Sequence, residues 1–205
     1  MAMIEPIDKG AKASDAALTA EPEPDSPAYD SSTADAATLT LDVDCRHETW
    51  HELAGALRAQ AAHVWRYLNL PPAEVSLVLA DSTFIATLNE TYRDKKGTTN
   101  VLSFPAQDFT APVTRNVLVA VPQPRLLGDI VLAHDVLAAE AQKQGKPMED
   151  HMLHLLTHGL LHLLGHDHSD EAEARLMEQL EKDILAAQGR PDPYCFDGDE
   201  KAVGQ

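Results

Sequence analysis

Histidines are concentrated in one stretch of this chain. Six of its ten histidines lie between positions 151 and 168, and three of them, His158, His162 and His168, are separated by four and then six residues. Residues four apart share one face of a helix, so the rings of His158 and His162 can converge on one ion. Gly165 can take the left-handed conformation that ends a helix, which would return His168 as a third ligand. Three protein ligands leave one position open for water, as in catalytic zinc sites.

The residues alone leave other ligand sets open. His154 and His158 are also four apart on the same helical face, and His166 could replace His168. We favour the triplet that ends at His168 because His162 adjoins the glycine turn. His154 is then expected to pack or hydrogen-bond behind one of the ligands.

The spacing resembles the long zinc motif of metzincin peptidases, which carries a glutamate directly after the first histidine. That glutamate is the general base that activates water. Here position 159 is glycine, so this base is absent. The substitution argues against peptide hydrolysis.

Hydropathy patterns predict the elements that must position these histidines. Alternating apolar residues predict strands, and apolar residues three and four apart predict helices. The predicted strands cover 39–43, 75–79, 98–105 and 126–132, and the predicted helices cover 49–68, 82–92, 135–144, 147–164 and 170–187. Residues 106–124 are predicted to form a loop with a short ribbon at 116–121. The helix over 147–164 has few polar positions, so it should be central and buried.

Several side chains have expected roles in these elements. Asp135 and Ser169 are expected to cap the helices that follow them. Tyr92 and Leu176 are expected to face the core. Asp129 lies within the most apolar strand, where it is either a buried carboxylate with a partner or an aspartate at a loop edge.

The chain is acidic, with a net charge of −17 over 205 residues. Bulk charge therefore does not favour nucleic-acid binding, and any RNA contact must come from a local basic patch. The densest basic cluster is Arg93, Lys95 and Lys96, at the end of a predicted helix. It is either a phosphate-binding cluster or a set of solvated cations that suit a helix C-terminus. No binding to DNA is expected.

The length fits one domain with two tails. Residues 1–36 contain eight acidic and two basic residues and almost no large apolar ones, so we expect a disordered N-terminal extension. The domain is expected over 37–188, and an acidic, mobile tail over 189–205. Two distant cysteines fit a reduced cytoplasmic protein, and no leader or membrane-spanning run is apparent.

Several blocks of the sequence resemble the YbeY family, bacterial metal-dependent endoribonucleases also described as ribosomal RNA maturation factors. The run HGLLHLLGHDH at 158–168 is similar to the signature of that family. Further similar blocks follow in the family's order: Leu88-Asn89 with Tyr92-Arg93, Thr99 to Pro105, and Leu127 to Ile130. Together they span most of residues 37–187.

The resemblance implies zinc on His158, His162 and His168, and a functional role for Arg93. It implies an α+β fold, in which a small mixed four-stranded sheet is flanked by five to six helices around a central metal-binding helix. Lys95 and Lys96 join Arg93 as candidate RNA-binding residues. His154, His166, Asp129 and Asp167 are candidates for supporting the ligands. His166 stands where the family commonly has tyrosine, so a role specific to tyrosine is in doubt.

The resemblance also implies cleavage of single-stranded RNA, maturation of the 3′ end of small-subunit ribosomal RNA, and a part in ribosome quality control. Zinc could activate water and polarise a phosphoryl oxygen, while Arg93 would neutralise developing charge. The nucleophile is either water or the 2′-hydroxyl of the RNA. The alternatives are a non-catalytic ribosome-assembly factor with structural zinc and, more distantly, a metal-dependent peptidase.

Overall fold

A four-stranded mixed sheet lies at the centre of the fold. The computed structural model describes residues 38–121 and 125–195, so the predicted disorder of residues 1–36 lies outside the described residues. The strands are β1 (Leu39–Cys45), β2 (Ala73–Ala80), β3 (Val101–Pro105) and β4 (Leu126–Ala133). Their order is β1-β2-β4-β3, with β1, β2 and β4 parallel and β3 antiparallel at one edge.

Six α-helices lie in the described residues, so the predicted α+β class is confirmed. They are α1 (Ala54–Tyr67), α2 (Ser82–Arg93), α3 (Arg115–Ala120), α4 (His134–Gln144), α5 (Met148–Leu163) and α6 (Glu171–Ala186). A short 3-10 helix, Glu48–Trp50, replaces the predicted first turn of α1. None of the described helices combines the length and the apolar character needed to cross a membrane.

Helix α5, which carries His158 and His162, is central and buried, as predicted. It packs against α1, α4 and α6 and against strands β3 and β4. Its close approach to the sheet depends on Gly159, because a Cβ atom there would lie 3.1 Å from the Ile130 side chain and from Ser103 Oγ. The sheet therefore supports the helix on the side of Gly159, next to the helical face that bears the histidines.

The predicted ribbon at 116–121 is wrong, because residues 115–120 form helix α3. Leu118 is fully buried, whereas Val117 and Val119 are about half exposed. The buried Arg125 guanidinium donates to the carbonyls of Leu118 and Val119 at 2.8 and 3.3 Å. These contacts satisfy the end of the helix, so tertiary structure outweighs the strand preference of valine.

Two predicted helix caps are displaced. Helix α4 begins at His134, before Asp135, and the Asp135 carboxylate accepts instead from the backbone N–H of Ser82 at 2.8 Å. The cap of α6 is Asp170 and not Ser169, since Asp170 Oδ1 accepts from two backbone N–H groups of the first turn. Helix α4 thus has no side-chain cap, because its N-cap position is occupied by Ala133, whereas a carboxylate caps α6.

Tyr92 and Leu176 do not face the core, because they are 68% and 71% exposed. In the last turn of α2 the inward position belongs to Asn89, whose side-chain amide donates to the carbonyl of Gly97 at 3.0 Å. In α6 the buried stripe begins one residue later than predicted, with Met177. It continues through Glu181, Ile184 and Leu185.

Residues 190–195, which the sequence assigns to the tail, pack against the last two helices. The Arg190 guanidinium donates to the carboxylates of Asp150 and Glu149 at 2.7 and 2.6 Å. The ring of Tyr194 meets that of His154 edge-on, with centroids 5.3 Å apart. These six residues are therefore part of the packed domain, and the remainder of the predicted tail, 196–205, lies outside the described residues.

Candidate metal centre

Three imidazoles meet at the exposed end of α5. The Nε2 atoms of His158 and His162 are 3.0 Å apart. The His168 ring lies 5.6 Å from that of His158 and 5.0 Å from that of His162, centroid to centroid. One ligand atom from each ring lies within 4.8 Å of the other two. The structure thus brings together the triplet that the spacing favoured.

A glycine turn at the end of α5 returns His168 to the helix. Gly165 has a φ of +79°. Its N–H donates to the carbonyl of His162, and the N–H of His166 donates to that of Leu161, both at 3.0 Å. This pair of bonds is a Schellman motif, which satisfies the last carbonyls of a helix and reverses the chain.

The hydrogen bonds of His162 and His158 fix which ring nitrogen faces the centre. His162 Nδ1 donates to the backbone carbonyl of His166 at 3.0 Å, and His158 Nδ1 donates to Glu181 Oε1 at 2.8 Å. A carbonyl or an ionised carboxylate only accepts, so both protons sit on Nδ1. In the neutral form of each ring, both Nε2 atoms therefore direct lone pairs towards the same point.

The pKa of His162 supports this assignment. Burial and the nearby imidazoles of His158 and His168 lower the pKa of His162 to about 4. The ring is therefore neutral at neutral pH, which is the form that binds a metal. Burial likewise lowers the pKa of His166, although the nearby Glu181 carboxylate opposes the shift.

Glu181 is a fully buried carboxylate that holds His158 in place. Its Oε1 accepts from His158, and its Oε2 accepts from His154 Nε2 at 2.8 Å and from the Tyr194 hydroxyl. Burial alone would raise the pKa of Glu181, but the hydrogen bonds from His154, His158 and Tyr194 outweigh it and lower the pKa to about 2. Burial and the bond to Glu181 raise the pKa of Tyr194, so its hydroxyl stays a donor.

The donor set fits a transition-metal ion. Two Nε2 atoms 3.0 Å apart are held together either by a proton that they share or by a metal ion that both lone pairs bind. In a tetrahedral zinc site, bond lengths of 2.0–2.1 Å place two ligand nitrogens roughly 3.3 Å apart. A carboxylate or carbonyl behind each ligating imidazole is the usual support in such sites. His158, His162 and His168 therefore form a group that could hold a metal ion.

Arg93 and His162 line the same cleft, which has a volume of about 220 Å³. The Arg93 guanidinium donates to the backbone carbonyl of Ser103 at 3.2 Å. The Ser103 hydroxyl in turn donates to the carbonyl of Gly159 at 3.3 Å, one residue beyond His158. Strand β3 thus connects Arg93 to the helix that bears the histidines.

A second cleft, of about 330 Å³, is lined by His158 and His168. Asn100, Met177 and Glu178 also border it. The histidine group therefore lies between two open clefts, one containing Arg93 and one reaching α6.

The other candidate residues lie at varying distances from the histidines. Asp167 lines the Arg93 cleft, and its carboxylate accepts from the N–H of His168 at 2.8 Å. His166 lines the same cleft and supports His162 through its carbonyl. Lys95 and Lys96 are exposed beyond the end of α2.

Asp129 is not brought to the histidines. It is exposed and shares a groove with Tyr92, Phe104 and Val131. Its neighbour Ile130 faces α5, and adjacent strand residues point to opposite faces of a sheet. Asp129 therefore lies on the face opposite α5, without the buried partner that the first interpretation of the sequence required.

Sequence reasoning missed Glu181, Tyr194 and Asp108, which lines the Arg93 cleft. One signal could have indicated Glu181: it lies four residues after Met177 and three before Ile184, on the apolar stripe of α6. A carboxylate at an inward position needs a partner. Tyr194 and Asp108 lie in irregular segments, where no period marks a side chain as inward.

Comparison with known proteins identifies a family. The family described as Endoribonuclease YbeY matches residues 41–189. A protein named Endoribonuclease YbeY from Parvibaculum lavamentivorans is 48% identical over 125 residues, 61% of this chain and 67% of that protein. One of the same name from Rhodopseudomonas palustris is 41% identical over 161 residues, 78% of this chain and 90% of that protein. A solution structure from Thermotoga maritima matches with a TM-score of 0.48 and 17% identity, covering 76% of this chain and 99% of that chain.

The family match covers most of the chain. It runs from β1 to the end of α6 and includes the three histidines, Arg93 and Glu181. The resemblance found in HGLLHLLGHDH and the blocks before it is therefore confirmed. This chain belongs to the YbeY endoribonuclease family.

Proposed function

We propose that this chain is a zinc-dependent endoribonuclease that cleaves single-stranded RNA. We further propose that it acts in the cytoplasm, on the small ribosomal subunit, in maturation of the 3′ end of 16S ribosomal RNA and in ribosome quality control. The observation that carries the proposal is that Arg93 and His162 line one cleft. A phosphate placed there would lie between a cation and the three imidazoles.

Each residue has a distinct task in this proposal. His158, His162 and His168 would hold the ion, with Glu181 and the carbonyl of His166 fixing two of the rings. A bound zinc ion supplies Lewis acidity and lowers the pKa of a coordinated water. Three imidazoles also suit nickel, copper or iron, and we propose zinc because the open three-ligand set is typical of catalytic zinc.

Arg93 would bind the scissile phosphate. Its guanidinium presents donors in a rigid fork that matches phosphate oxygens, and one nitrogen is already held by the carbonyl of Ser103. A guanidinium fixed in this way can neutralise charge that develops on the phosphate during cleavage. Lys95 and Lys96 would contact neighbouring phosphates, because they follow Arg93 closely and are exposed.

Gly159 argues against the peptidase alternative. A peptidase with this motif needs a glutamate after the first histidine, and here that position faces Ile130 and Ser103 at 3.1 Å. The side of the helix that would carry the base is filled by the sheet. The other alternative is a non-catalytic ribosome-assembly factor with structural zinc, and an experiment must distinguish it from the endoribonuclease.

The test compares four purified proteins on single-stranded RNA, with the metal content of each measured: wild type, His158→Ala, Arg93→Ala and Arg66→Ala. Arg66 is the matched control, since it is an exposed arginine on α1. We expect His158→Ala to lose metal and cleavage, Arg93→Ala to keep metal and lose at least about 100-fold in kcat/KM, and Arg66→Ala to match wild type. Full cleavage by Arg93→Ala would refute the role of Arg93, and activity that does not follow metal content would refute the role of the metal.

The ends of the cleaved RNA distinguish the two nucleophiles. A 2′,3′-cyclic phosphate would mean that the 2′-hydroxyl of the RNA attacks. A 5′-phosphate with a free 3′-hydroxyl would mean that water attacks. A substrate with a 2′-deoxy sugar at the cleavage site provides the control, because it remains cleavable only in the second case.

A further inference from the structure

Tyr194 lies after α6, outside the helices, and contacts Glu181, the carboxylate that supports the candidate metal centre. Its hydroxyl donates to Glu181 Oε2, the same oxygen that accepts from His154. The other oxygen, Oε1, is left to His158 alone. We propose that Tyr194 is a positioning residue of the metal centre, which holds the Glu181 carboxylate in the orientation that aims His158 at the ion.

The geometry explains why a hydroxyl is needed there. A carboxylate can rotate about its last bond, and rotation would move Oε1 away from His158 Nδ1. With two donors on Oε2 and one on Oε1, each rotation breaks bonds in a site where water cannot replace them, because Glu181 is 0% exposed. The Tyr194 ring also packs edge-on against His154, so one residue restrains both of the groups behind His158.

Residues 190–195 are attached to the domain by contacts other than the hydrogen bond between Tyr194 and Glu181. Arg190 binds Asp150 and Glu149 at the start of α5, and Asp192 pairs with Lys182 at 3.5 Å. None of these ion pairs involves Glu181. A purely structural Tyr194 would therefore act like Arg190, through the docking of residues 190–195, whereas a positioning Tyr194 would act on the metal.

The test measures zinc affinity at neutral pH by competition with a chelator, using full-length chains. Three variants are compared with wild type: Tyr194→Phe, which removes only the hydroxyl; Arg190→Ala, which weakens docking; and Tyr67→Phe, a control on α1. Two further readouts are the visible absorption spectrum of the cobalt-substituted protein and the melting temperature of the metal-free protein.

We expect Tyr194→Phe to bind zinc about tenfold more weakly and to shift the cobalt spectrum. Arg190→Ala should lower the melting temperature of the metal-free protein and keep the wild-type affinity and spectrum. Tyr67→Phe should change neither. Wild-type affinity and spectrum in Tyr194→Phe, or an equal loss of affinity in Arg190→Ala, would overturn the inference.

The inference rests on the proposed binding of metal by the three histidines, and the two can fail separately. If the wild type binds no zinc at these residues, the proposed function and the inference are both wrong. If the wild type binds zinc and Tyr194→Phe binds it equally well, only the inference is wrong.

Discussion

At the scale of single residues, Glu181 is the group on which the candidate metal centre depends most. A buried ionised carboxylate is costly unless hydrogen-bond donors surround it. Here three donors do so, and they come from α5 and from the segment after α6. Glu181 therefore contributes both to the stability of the fold and to the orientation of His158, which is proposed to bind the metal.

The low pKa of Glu181 predicts a dependence of stability on pH. The pKa of about 2 in the folded protein lies below the ordinary value of 4.5. The stabilisation is therefore present above about pH 4.5 and is lost as the pH falls towards 2. For the metal-free protein we expect Glu181→Gln to lower the free energy of unfolding at pH 7 by on the order of 3 kcal/mol, and this difference should shrink below pH 4.5.

Urea unfolding followed by tryptophan fluorescence measures this difference, since Trp50 and Trp65 are both fully buried. Wild type and Glu181→Gln should be compared at pH 7 and at several values between 4.5 and 3. A difference in unfolding free energy that stays constant over this range would show that the ionised carboxylate is not the source of the stabilisation.

At the scale of elements, α5 and the turn after it form the framework of the site. The loop before α3 covers this turn, and the N–H of Val113 donates to the carbonyl of Leu164 at 2.8 Å. A Cβ atom on Gly165 would lie 2.8 Å from the carbonyl oxygen of Ala111 and from the Cβ of Phe109. Gly165 is thus required both by its positive φ and by this close approach.

Gly165→Ala should weaken metal binding, because the turn that returns His168 must shift. The matched control is Gly145→Ala, which has a similar φ of +67° at the end of α4 but no neighbour within 4 Å of its Cβ. Both variants should lose about 1–2 kcal/mol of stability through backbone strain, and Gly165→Ala should lose more because of the steric overlap. Only Gly165→Ala should lose zinc affinity by chelator competition. Equal zinc affinities in the two variants would contradict this role for the turn.

Gly159→Ala tests the contact between α5 and the sheet. The added methyl group would lie 3.1 Å from Ile130 and Ser103, so we expect a loss of about 1–3 kcal/mol from overpacking. Gly55→Ala, in an exposed part of α1 with no neighbour within 4 Å, should instead gain about 0.5–1 kcal/mol. Urea unfolding measures both, and a stabilised Gly159→Ala would mean that the helix is free to move from the sheet.

The sequence predicted those parts of the site whose positions follow from the helical repeat and from the residues next to it. A helical repeat places His158 beside His162, and a glycine after the helix allows His168 to return. Glu181 is thirteen residues beyond His168 and reaches the site only because α6 packs on α5. Helix α3 depends on contacts of Arg125, which lies outside the helix and is itself held by the carbonyl of Pro72, and the strand order depends on pairings that no local pattern specifies.

At the scale of the whole molecule, the negative net charge of the chain repels RNA, the proposed substrate, which is also negatively charged. The chain carries −17, of which residues 1–36 contribute eight acidic and two basic residues. Long-range repulsion therefore reduces RNA affinity, and the local cations at Arg93, Lys95 and Lys96 must overcome it. This repulsion is expected to favour selective contacts over general binding to nucleic acid.

A chain that starts at Thr38 should bind single-stranded RNA more tightly than the full chain at low salt. It lacks the acidic residues before that point, so the repulsion is smaller. Because salt screens charges over distances beyond roughly 10 Å at 0.1 M, the difference should disappear as the salt concentration rises. Fluorescence anisotropy with a labelled oligonucleotide measures both affinities, and equal values at every salt concentration would contradict the electrostatic effect.

The most direct test of the central claim is a titration of the metal-free protein with zinc while cleavage of single-stranded RNA is measured. If His158, His162 and His168 hold the ion on which cleavage depends, activity should be absent in the metal-free protein. It should rise in proportion to added zinc and saturate at about one ion per chain. Full cleavage by the metal-free protein, or activity that does not saturate at one equivalent, would contradict the claim.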